Sequence, residues 1–201
     1  MTIIIIFITI AVSLYALSKP DFNYKLIHNP YLVKHNRQWY RLVTSGLLHA
    51  DFIHLFVNMF VLYSFGRVVE FYYSGLFGAA SWLIYLLLYF TAIYASSAAS
   101  QYKHQDNPQY NSLGASGAVS AVLFTAILFE PFEPLYLYGI VKIPGIVFGL
   151  LYLGYSYYMS KKQIDQVNHD AHFYGAIYGI VFTLVLKPQV GLAFLGKFLG
   201  N

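Results

Sequence analysis

The chain has 201 residues, of which 58% are hydrophobic and only 10% charged, where an ordinary soluble domain carries about 25% charged residues. That balance points to a membrane protein, and the length to a single domain, residues 1–201. The net charge of +4 is scattered and forms no basic run for nucleic acid, and the absence of cysteine excludes disulfides, Cys-ligated metals and a thiol nucleophile.

A membrane-spanning helix needs about 20 apolar residues. Candidate apolar segments are residues 2–17, 52–69, 76–98, 113–129, 135–159 and 171–186. The first lacks the Lys/Arg leader of a cleavable signal peptide and reads as a retained spanning helix. A long, partly amphipathic stretch, 18–49, follows; Trp39 and Tyr40 favour the headgroup level, so it is expected to lie in the interface. The second segment carries His54 and Asn58 at i and i+4, on one helical face, with His49 just before it. A polar stretch, 100–111, separates the third segment from the fourth.

The fourth segment opens Gly114-Ala115-Ser116-Gly117 and continues with small residues, including Ser120. Small residues let helices approach closely in lipid, so this helix is expected at the centre of the bundle. At about 1.5 Å per residue it reaches roughly 25 Å, short of the bilayer core of about 30 Å. Ser116 should therefore lie below one membrane surface. Pro131 and Pro134 stop this helix, and Pro144 kinks the fifth or marks its start. The sixth segment carries His172, with Gly175 and Gly179 on the same face. A glycine face packed on the small-residue face of the fourth helix would bring His172 to Ser116. A hydroxyl beside an imidazole is the minimum pair for nucleophilic catalysis with a general base. His54, Asn58 and the free N–H groups at the start of the fourth helix could together stabilise an oxyanion.

These residues resemble the rhomboid family of intramembrane serine proteases. The likeness runs from about Tyr40 to Leu186 and rests on three motifs in order: His49, His54 and Asn58; Gly114 to Gly117; and Ala171, His172, Gly175 and Gly179. It implies an all-α, six-transmembrane-helix bundle with a long interfacial first loop. It implies Ser116 as nucleophile, His172 as base, and His54, Asn58 and the Ser116 amide as oxyanion hole. Gly114, Gly117, Gly175 and Gly179 would be structural residues near the site. The expected substrates are transmembrane helices of other proteins, cut near the membrane surface without metal or cofactor. The expected setting is a bacterial inner membrane, and lipid is the other partner. The chain departs from the family in Tyr40, which separates Trp39 from Arg41, and in Gly75, one place late after Gly66 and Glu70.

Other readings attach to the same residues. Ser116 could be a packing residue, as Ser120 is expected to be. His49 reads as structural or interfacial rather than catalytic, and His169 and Asp170 as loop residues at the membrane surface. Asp170 is a weak candidate for a third triad member, because positions two apart on a helix do not face each other. Glu70 is expected to cap loop amides on the far side of the membrane. A non-catalytic client-binding protein of the same fold is the first alternative; a metal or proton transporter built on His49, His54, His169, Asp170 and His172 is the second. The resemblance places both termini in the cytoplasm and the site outwards. The outer loops then hold Lys19, Lys25, Lys34, Arg37, Arg41, Lys103, Lys161 and Lys162, against Arg67, Lys142, Lys187 and Lys197 inside, the reverse of the positive-inside rule.

Overall fold

Helix α1 (Thr2–Ser18) is built inside out. Its polar residues Thr2, Thr9 and Ser13 are buried, while Ile4, Phe7 and Tyr15 are exposed. Apolar residues facing outwards are costly in water and ordinary in lipid. The same pattern recurs along the chain, with Ile53, Phe56, Phe60, Leu150, Leu151 and Val185 all exposed. The computed structural model describes residues 1–137, 140–162, 164–165 and 167–200.

The interfacial stretch is three short helices, α2 (Pro20–Leu26), α3 (Pro30–Asn36) and α4 (Arg41–Thr44), and a 3-10 turn, Ser45–Leu47. Proline starts α2 and α3, where its missing N–H costs nothing. Arg41 is buried and donates to the carbonyls of Tyr24 and Ile27, each at 2.7 Å, and to Gln38 Oε1 at 2.6 Å. One guanidinium thus ties α2 to α4. His28 pairs with Ser112 and Gln101, and Asn29 donates to the Pro108 carbonyl and Asn111 Oδ1, so this layer is stitched to the loop that leads into the site.

Helices α5 (Phe52–Phe77) and α6 (Ser81–His104) are divided by Gly78 at φ +54. The second and third apolar segments therefore run further than expected, into polar residues at His104, and the break falls at Gly78 rather than at residues 70–75. The pair folds back on itself: a Cβ on Gly66 would lie 2.6 Å from the Tyr85 hydroxyl and from Thr2 Oγ1. Glu70 accepts from the Thr2 amide at 3.1 Å and pairs with the terminal amine of Met1. It caps the start of α1, not loop amides.

Helix α7 (Ser116–Phe129) is buried at every residue after Ser116. It ends before Pro131, as expected. The next segment is not helical throughout. β1 (Pro134–Leu137) pairs antiparallel with β2 (Val141–Pro144), Pro134 opposite Pro144, and α8 (Gly145–Lys162) begins only after it. Helix and strand are not separable by periodicity in a short apolar run, and the flanking prolines with β-branched Val141 and Ile143 favour the hairpin. The chain is mostly helical, as the expected all-α class requires, with this short ribbon as an addition to it.

Helix α9 (His169–Leu186) makes its most extensive interface with α7. A final helix, α10 (Gln189–Leu199), absent from the expected segments, turns by 108° from α9. Its Lys197 donates to the Phe129 carbonyl at 2.6 Å and to Glu130 Oε2 at 2.8 Å, closing the C-terminal end of α7. Lys197 and the Tyr72 hydroxyl, both bonded to Glu130, hold its carboxyl below the usual range. By length and composition, one helical stretch among the described residues is long and apolar enough to cross a membrane, Phe52–His104, which includes the fold-back at Gly78. α9 and α10 meet the measure only together, and α1 and α7 are apolar but shorter. The expected six spans are not reached on this measure.

Candidate active site

Two glycine contacts fix the geometry. A Cβ on Gly175 would lie 2.1 Å from the Gly117 carbonyl oxygen, and one on Gly179 would lie 2.1 Å from the Ala121 carbonyl oxygen. Only glycine allows this approach of backbones. Gly117 is enclosed in turn: a Cβ there would meet Ser96 Oγ at 2.1 Å and the Ala171 carbonyl at 3.3 Å. Ser116 and His172 are the chain neighbours of Gly117 and Ala171, which meet where α7 packs on α9. The serine and the histidine are both half-buried. Among the described residues their side chains make no hydrogen bond with one another.

The third group comes from α5. Asp51 caps that helix by accepting from the His54 amide at 2.7 Å. Gly114 donates its N–H to the Ser45 carbonyl at 3.0 Å and holds φ at +123, a conformation that favours glycine. A Cβ on Gly114 would lie 2.9 Å from His54 Cε1, 3.1 Å from His54 Nε2 and 3.8 Å from Ser116 Oγ. His54, Gly114 and Ser116 therefore converge at the start of α7, where helix N–H groups lack intrahelical partners. Asn58 lies on the His54 face and is buried, but donates Nδ2 to the His54 carbonyl at 2.9 Å. One of its amide protons is thus engaged within its own helix.

His49 is fully buried, with Nδ1 2.9 Å from Ser13 Oγ and its ring edge-on to His54 at 4.9 Å between centroids. Burial, with His54 alongside, pushes its imidazole down to about 3. His169 and Asp170 are not loop residues: they are the first two residues of α9, behind the cap Asn168, which accepts from the Ala171 amide at 3.1 Å. Asp170 pairs with Lys103 at 2.6 Å rather than with His172. Its side chain is thereby occupied away from the histidine. Ser120 shares a 2.6 Å hydrogen bond with the Tyr152 hydroxyl, and the Tyr152 ring stacks near His172 with centroids 6.0 Å apart. Nothing in the spacing of α8 singles out Tyr152 in advance. Among the described residues no group of three or more His, Asp or Glu side chains is arranged to hold a metal.

The Rhomboid domain family matches residues 36–189, most of the chain. The chain belongs to the rhomboid family, and is accordingly a membrane protein. Two relatives from Arabidopsis thaliana are similar over most of its length. Rhomboid-like protein 11, chloroplastic, is 32% identical over 181 residues, covering 83% of this chain and 59% of the relative. RHOMBOID-like protein 12, mitochondrial, is 25% identical over 170 residues, covering 77% of this chain and 50% of the relative. The chain thus spans about half to three-fifths of the length of these relatives.

Proposed function

We propose that the chain is an intramembrane serine endopeptidase that cuts transmembrane helices of other proteins near the membrane surface. Ser116 is the nucleophile and His172 the general base of a dyad; His54, Asn58 and the Ser116 amide form the oxyanion hole. The observation that carries this reading is the contact of Gly175 with Gly117, which brings the N-terminal turns of α7 and α9 together beside His54. The hydroxyl attacks the substrate carbonyl, His172 takes its proton, and the N–H groups with His54 meet the charge on the oxygen. The adduct collapses with cleavage of the peptide C–N bond as His172 passes its proton to the leaving amine; a water that gives a proton to His172 then hydrolyses the acyl-enzyme, and His172 returns that proton to Ser116. Substrate helices must unwind locally, since an intact helix shields its carbonyls.

The same proposal includes six spanning segments, with the two lengths of Phe52–His104 on either side of Gly78 counted separately, and α8 among them. It places the protein in a bacterial inner membrane with the site facing outwards. The names of the relatives put theirs in chloroplast and mitochondrion. Purified protein in detergent, given a generic transmembrane reporter, should cleave it as wild type and not as Ser116→Ala. Full activity of Ser116→Ala would sink the serine mechanism. Reporter binding without cleavage by wild type would favour the client-binding alternative.

A further inference from the structure

A neutral imidazole that is to take a proton on one nitrogen carries its own proton on the other. In hydrolytic triads that second N–H is held by an acceptor, which fixes tautomer and ring orientation. Among the described residues no carboxylate bonds to His172, and Asp170 is bound to Lys103 at 2.6 Å. One turn before His172, on the same helical face, stands His169, which is 5% exposed. Its ring is edge-to-face with His172, centroids 5.8 Å apart and planes at 79°. Its Nε2 is 3.1 Å from both oxygens of Asp165, and this bond holds the Asp165 carboxyl below the usual range. An ionised carboxylate only accepts, so Nε2 carries a proton, and in the neutral ring Nδ1 is a lone-pair acceptor. That Nδ1 is buried and has no partner among the described residues. The Tyr155 ring also packs edge-on to the His169 ring, at 5.5 Å between centroids.

We infer that His169 is a positioning residue: its Nδ1 accepts from the far N–H of His172, while Asp165 fixes the tautomer of His169 that makes this possible. The two rings are adjacent, and His169 Nδ1 is the buried acceptor without a partner among the described residues. Catalytic hydrogen bonds are commonly long until substrate is bound. The inference rests on the dyad reading above and gives the site an Asp165–His169–His172–Ser116 order.

Three variants at one position test it. His169→Phe keeps the ring and its packing but removes both nitrogens. His169→Gln places a polar group near the Nε2 position, and His169→Asn places one near Nδ1. With a transmembrane reporter, kcat of His169→Phe and His169→Gln should fall about tenfold, the loss of one hydrogen bond, with KM within twofold. His169→Asn should restore at least half of wild-type kcat, and all three should melt as wild type does. Equal kcat in all three and wild type, with Ser116→Ala inactive, would overturn the positioning role and leave the dyad intact. Equal loss in all three, Asn included, would also overturn it, since a packing role alone would then account for the loss. Activity in Ser116→Ala would instead overturn the dyad itself.

Discussion

Gly175 faces Gly117 across helices α9 and α7 with no room for a single carbon: a Cβ at position 175 would stand 2.1 Å from the Gly117 carbonyl oxygen and 2.9 Å from its Cα. The obstacle is backbone, which cannot rotate aside as a side chain can. Gly175→Val must therefore separate the helices. Overpacking costs about 1–3 kcal/mol where side chains give way, and more is expected here. A displacement of about 1 Å at the reacting atoms can cost 10²-fold in rate. Gly175→Val should lower both the melting temperature and reporter cleavage. Gly75→Val, with nothing within 4 Å of the added Cβ, should change each far less. Equal small effects would mean that the approach of these helices does not set the site.

Nucleophile and base act as a unit, so their losses do not add. Ser116→Ala, His172→Ala and the double variant should all sit near background in the reporter assay, with melting temperatures close to wild type. A double variant far below either single would show that the two side chains act separately.

Gly114→Ala tests the oxyanion geometry without touching a polar group. The added methyl meets His54 Cε1 at 2.9 Å, and φ +123 is strained for any residue with a Cβ. Removing one oxyanion donor typically costs about 10²–10³ in kcat. Displacing His54 should cost a similar factor, and His54→Ala should match it. The check is kcat for both variants; a wild-type kcat in Gly114→Ala would show that His54 is not needed where it stands.

The parts of this site legible in sequence were those with a chemical signature at fixed spacing. Gly175 and Gly179 announce a close helix contact because no other residue permits one, and His54 with Asn58 announces a face. What was not legible lacks such a signature. Apolarity marks where lipid could be, not where hydrogen bonding stops, so α5 and α6 ran past their apolar limits to Gly78 and His104. The pairing of β1 with β2 was hidden in an apolar run that suits either backbone form. α10 escaped because it is amphipathic and lies across the end of the bundle. The pairing of Asp170 with Lys103 joins residues far apart in sequence, and no spacing rule reaches it.

His49 predicts how stability depends on pH. Its imidazole is pushed down to about 3 in the folded protein, from an ordinary value of 6.5. The unfolded chain therefore takes up a proton below about 6.5 that the folded protein refuses until about 3. The contribution is fully present above 6.5 and is lost progressively as pH falls. Each pH unit across that window removes up to about 1.4 kcal/mol for this proton. His28 is also buried and pushed down, so it adds to the same trend. His49→Asn keeps a partner for Ser13 and does not titrate. Melting temperatures taken between pH 7.5 and 4.5 should fall for wild type and fall less steeply for His49→Asn. Parallel curves would mean that His49 takes up its proton equally in both states, and that its burial against Ser13 is not what holds it neutral.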